Sequence, residues 1–177
     1  MAIAQTLKRF YNVFAPRLFN SVDVETRKQL QLEFWQGYDK FLLANANPMA
    51  DFGAARSRDW RACELAPCVS LWTALDIQEN WIGVGLEFTG RKGRNIFEAV
   101  RQQTMEIVRS TGLVVDQEVN SDDFHLATYR YARIDDPGCW PKYYSQLSEC
   151  VALYLQFYKN IAAPLAIKRP DQLQVKT

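Results

Sequence analysis

The 177 residues carry a formal net charge of +1, with 48% hydrophobic, 23% charged and 13% aromatic residues. Those proportions exclude a disordered chain, and the near balance of cations and anions excludes a uniformly basic protein that coats nucleic acid by charge alone. The length suits one domain burying about 70% of its unfolded surface without a disulfide or metal staple.

Ile3, Leu7, Phe10, Tyr11 and Phe14 recur at helical spacing, so the chain opens on an amphipathic helix ended by Pro16. Its apolar residues are interrupted by Gln5, Lys8 and Arg9, unlike a signal peptide, and no stretch is long enough to cross a bilayer. The expectation is a cytoplasmic protein with no membrane partner. A second helix starts at Asp23 as N-cap, with Glu25 in its first turn. It sets Leu30, Phe34, Tyr38, Phe41 and Leu42 on one face, with Trp35 beside them, and stops at Asn45-Ala46-Asn47-Pro48.

Residues 51–61 read as a charged loop. Three strands are then predicted. Trp60–Leu65 is short. Cys68–Ile77 alternates Val69, Leu71, Thr73, Leu75 and Ile77 against Ser70, Trp72, Ala74 and Asp76. Trp81–Phe88 sets Ile82, Val84, Leu86 and Phe88 against Gly83, Gly85 and Glu87. The two glycines leave that second face open to close approach, by a ligand or by a tightly packed element.

Thr89–Gly93 reads as a loop leading to a helix over 94–110, with Ile96, Phe97, Val100, Ile107 and Val108 inward. Strands over 113–119 and 124–133 follow, joined by the turn Asn120-Ser121-Asp122-Asp123. A last helix begins near Pro141 and turns Tyr144, Leu147, Val151, Tyr154, Leu155, Tyr158 and Ile161 inward, with Pro164 at its end. The predicted order ααβββαββα is an α+β fold: a mixed or mainly antiparallel sheet of about five strands packed against long amphipathic helices. One domain spans residues 1–166, with residues 1–20 appended as the N-terminal helix and a polar tail over 167–177.

Chemistry-bearing patterns are sparse. Cys63, Cys68, Cys139 and Cys150 form no C-x-x-C pair, and His125 is the sole imidazole, so neither a zinc site nor a cofactor is expected and the cysteines read as thiols. Hydrolase and phosphate-loop motifs are absent. A metal-dependent nuclease would need clustered carboxylates; Asp76 and Glu87, on neighbouring strands, are the candidate pair, without the lysine that usually accompanies them.

The most suggestive segment is Thr89-Gly90-Arg91-Lys92-Gly93-Arg94. Its cations stand where a strand hands over to a helix, whose exposed amides already favour an anion. Arg56, Arg58 and Arg61 join this site if their loop lies nearby. The bland alternative is a wet basic turn paired with Glu98. Trp72 either stacks on a base or partner from an open sheet face, or belongs to the core.

Three segments resemble an uncharacterised bacterial domain family: Leu32-Glu33-Phe34-Trp35-Gln36-Gly37-Tyr38; Trp81-Ile82-Gly83-Val84-Gly85-Leu86-Glu87-Phe88 with the helical Ile96-Phe97-Glu98-Ala99-Val100; and Trp140-Pro141 leading to Phe157, Ile161 and Pro164. Members often stand C-terminal to restriction-endonuclease-like or other DNA-processing modules. The resemblance implies an accessory or recognition domain, without catalytic residues, for bacterial or phage DNA processing or defence. The partner classes expected are therefore nucleic acid at the basic loop and a protein, or a second copy, at the N-terminal helix. A purely structural or homo-oligomeric module is the alternative.

Overall fold

The computed structural model describes residues 23–45, 51–111, 116–119 and 123–164. The expected helix over residues 2–14 and the tail over 167–177 lie outside them.

Helix α1 spans Val24–Ala44, and Asp23 caps it: Oδ1 accepts from the Glu25 and Thr26 amides at 3.0 Å each. The carboxylate satisfies amides that have no partner inside the helix, and the hydrogen bond that the Thr26 hydroxyl donates to it, with those amides, holds the Asp23 carboxyl below its ordinary pKa. Phe34, Trp35 and Tyr38 are fully buried on its inner face.

Strands β1 (Trp60–Ala66), β2 (Val69–Asp76), β3 (Trp81–Thr89), β4 (Asp116–Val119) and β5 (Asp123–Tyr131) form one sheet in the order β1-β2-β3-β5-β4. Every described pairing is antiparallel. The β2–β3 turn is closed by Asp76, whose Oδ1 accepts from the Gln78 and Glu79 amides at 2.8 and 2.9 Å. Between β3 and β4 the chain leaves the sheet as helix α2, Gly90–Thr111.

Helix α2 begins at Gly90, so the segment read as a loop up to Gly93 is its first turn. Two glycines explain the difference. Gly90 takes φ +65°, which an L side chain resists. A Cβ on Gly93 would stand 2.8 Å from the Phe88 carbonyl carbon and 3.2 Å from the Cys68 oxygen. Glycine thus lets the helix start directly on the strand ends.

Asp136 organises the approach to the last helix: its Oδ1 accepts from the Gly138 amide at 3.1 Å within the 3-10 turn Pro137–Cys139. Helix α3 runs Trp140–Phe157 and continues as a π-helical turn over Tyr158–Ala162. Tyr144, Leu147, Val151, Tyr154 and Leu155 are buried, as their spacing predicts; Tyr158 and Ile161 are half-buried.

The helices share one face of the sheet. Phe34 meets Trp140 and Tyr144 edge-on at ring separations of 5.6 and 5.1 Å. A Cβ on Gly37 would collide with the Tyr144 ring, so the α1–α3 contact depends on that glycine. Leu71, Leu75, Ile82, Val84, Leu86, Phe88 and Leu126 supply the strand side of this core. The buried Thr128 hydroxyl reaches Tyr154 Oη at 3.0 Å, tying β5 to α3.

Candidate functional site

Arg91, Lys92 and Arg94 all belong to the first turn of α2, and all three are exposed. None has a carboxylate partner among the described residues. Glu98, one turn further on, pairs with Arg101 at 3.3 Å instead. The Arg94 guanidinium lies over the Phe124 ring, 5.1 Å from its centroid, an attraction that steadies the group without neutralising it. Lys92 is close enough to Cys68 to oppose part of the upward push that burial gives this thiol. The helix start and the three cations therefore add their positive potentials.

The second arginine group is elsewhere. Thr89 donates its amide to the Cys68 carbonyl at 3.0 Å, whereas Leu75 donates to the Asp59 carbonyl at 2.7 Å. Cys68 and Leu75 are thus the β2 neighbours of the two basic segments, and the strand between them runs about 23 Å at ~3.3 Å per residue. Arg56 and Arg58, both exposed, stand at the far end of the sheet from Arg91. The expectation that the loop at 56–61 joins the basic turn is corrected: the antiparallel register of β1 on β2 carries it away.

Arg61 is committed to the fold. It is 7% exposed, its Nη1 donates to Asp39 Oδ1 at 2.7 Å, and its Nη2 donates to the Gly53 carbonyl. Its guanidinium also lies over Trp35 and Phe52, 5.5 and 5.7 Å from their centroids. The same contact region holds the Trp35 indole, which donates to the Arg58 carbonyl at 2.7 Å. This cation pins α1 to the edge strand β1 and is closed to a ligand.

Trp72 is 2% exposed. It lies on the sheet face opposite the helices, in a separate cluster with Ala74, Trp81 and Ala127 that Ala62 and Tyr129 complete. Gly83 and Gly85 form its floor: a Cβ on Gly85 would stand 2.6 Å from the Trp72 ring and 2.6 Å from the Leu126 oxygen. The close approach expected at these glycines is made by the chain's own tryptophan.

The carboxylate pair of the nuclease alternative is not assembled. Asp76 pairs in register with Trp81, and Glu87 with Ser70, so the two lie near opposite ends of the β2–β3 hairpin. Asp76 is occupied as a turn cap, and Glu87 approaches His125, with 3.9 Å between Oε1 and Nε2. Among the described residues no group of three or more His, Cys, Asp or Glu side chains is placed to hold a metal ion. Cys63, Cys68, Cys139 and Cys150 are free thiols, and burial raises the pKa of Cys63, Cys68 and Cys150.

No family model matches the chain, and no curated protein matches it. Among solved structures, that of YbjN from E. coli, a candidate transcription regulator, aligns with a TM-score of 0.41 at 10% identity. The alignment covers 71% of this chain and 91% of YbjN. A likeness of that depth carries no functional argument. No described helix is long and apolar enough to cross a membrane.

The residue-by-residue reading missed the polar row across the far sheet face. Ser70, Glu87 and His125 are consecutive register partners on β2, β3 and β5, beside the row of Trp72, Gly85 and Ala127. His125 is 3% exposed. Alternation within β3 and β5 assigns each residue to a face, but only strand pairing shows that these three form one line.

Proposed function

We propose that this chain is a non-catalytic interaction domain that contacts a polyanion through Arg91, Lys92 and Arg94. The observation that carries the reading is the lack of any described carboxylate partner for three cations at one helix start, with the nearest helical acid, Glu98, engaged by Arg101. Phosphates suit such a site, because unpaired amides and guanidinium forks both donate to their oxygens. Nucleic acid is the polyanion that the family resemblance implies, in an accessory role to DNA processing. Arg56, Arg58 and Arg61 are left out of this contact surface, and Trp72 is left out as a stacking group.

Fluorescence anisotropy with short single- and double-stranded DNA and RNA tests the reading. Three phosphate contacts give a log–log salt slope near −2.7, or about a 40-fold loss of affinity between ~50 and ~200 mM salt. Replacing Arg91, Lys92 and Arg94 with Ala is expected to remove both binding and slope while changing stability by less than about 0.5 kcal/mol. Binding that is absent at the lowest salt, or that survives the triple substitution, rejects this surface.

A further inference from the structure

The far face of the sheet is built to be covered. Its β1, β2, β3 and β5 positions include Trp60, Trp72, Trp81, Tyr129 and Tyr131, with Glu64, Asp76 and Glu87, and no Lys or Arg. No residue of a described helix belongs to the Trp72 cluster, yet Trp72, Trp81 and Ala127 are 2%, 3% and 0% exposed. An indole lying flat on a bare sheet keeps its outer ring face wet, so burial of this depth calls for another layer. At the margin of the patch Trp60 and Tyr131 remain 41% and 61% exposed.

We propose that residues 1–15 of the same chain dock on this face. Their composition is the complement of the surface: Lys8 and Arg9, no acid before Asp23, and Ile3, Leu7, Phe10, Tyr11 and Phe14 at helical spacing. An amphipathic helix laid on an aromatic, acidic surface buries its apolar stripe and sets cations against the carboxylates. The C-terminal segment fits less well, since residues 165–177 contain Asp171 and no aromatic residue. The residues from Pro16 to Val22 that join this segment to helix α1 extend to about 23 Å, longer than the ~10 Å spacing of two stacked layers. This inference concerns the opposite side of the sheet from the helices and does not depend on the polyanion reading.

Acrylamide quenching of tryptophan fluorescence in the full chain tests it, because acrylamide is neutral and insensitive to the surface charge. Phe10→Asp with Phe14→Asp is expected to raise the quenching constant about twofold by exposing two of the five tryptophans, with far-UV circular dichroism retained. Trp72→Phe in the same background removes part of that rise and so assigns it. Lys8→Glu with Arg9→Glu gives a smaller increase that disappears at about 1 M salt, where charges are screened beyond ~3 Å. Unchanged quenching in the Phe10/Phe14 variant overturns the proposal, as does a rise that Trp72→Phe leaves intact. Sedimentation of the unaltered chain adds one more arm: a dimer that dissociates in the Phe10/Phe14 variant assigns the segment to a second copy and overturns docking within one chain. None of these outcomes alters the salt-dependent binding expected of Arg91, Lys92 and Arg94.

Discussion

On the helix side of the sheet, Leu71, Val84 and Leu86 meet a second layer of aromatic side chains from α1 and α3. On the far side, Trp72 and Tyr129 lie across Gly83 and Gly85. Both faces bury apolar rows, by different means. The first relies on volume, with large rings interlocked edge to face. The second relies on missing volume, because a strand without Cβ atoms lets an aromatic ring rest on its backbone. A core made of volume is weakened by deletion, and one made of absence is weakened by addition.

Three experiments sharpen that contrast. The largest effect is expected from Phe34→Ala. Phe34 is fully buried and makes edge contacts with Trp35, Trp140 and Tyr144. Urea denaturation should show a loss of about 4 kcal/mol. Next comes Gly85→Val, which drives a branched side chain into the Trp72 ring and the Leu126 carbonyl. A loss of about 3 kcal/mol is expected. A cost below about 0.5 kcal/mol, within the range of an ordinary surface change, would mean that Trp72 moves freely and that the far face is not a packed layer.

The smallest effect appears only in alkali. Burial pushes the Tyr38 phenol up to about 12, against the opposing pull of its Ser148 hydrogen bond and the Arg61 charge. The unfolded chain gives up that proton near 10. The contribution of this phenol to stability is therefore whole below pH ~10 and is lost as pH rises through about 12, by at most roughly 2–3 kcal/mol. Tyr38→Phe should flatten this alkaline loss in denaturation curves taken at several pH values. If the variant shows the same loss as the parent, other groups dominate and the helix-side core is wetter around Tyr38 than its packing indicates.

The two arginine groups repeat the lesson at the surface. Arg91 and Arg61 look alike as sequence, each beside other cations in a charged segment. Arg61 sits on β1 where Asp39 of α1 can reach it, and an ion pair across 22 residues of sequence takes it out of play. Arg91 sits at a helix start with no described acid to meet it. Removing the partner of a buried charge and removing an exposed charge are different perturbations.

Local patterning specified the order of the described helices and strands, the inward rows of β2 and β3, the Asp23 cap and the cations beside Gly90 and Gly93. Each follows from nearest neighbours and a short period, which act before any distant contact exists. Tertiary structure alone decided that Gly90–Gly93 is helix, that Arg56 and Arg58 stand at the opposite end of the sheet from Arg91, that Asp76 and Glu87 stay apart, and that Trp72 fills the space above two glycines. Those outcomes depend on strand register and layer packing, which join residues far apart in the chain and leave little trace in local composition.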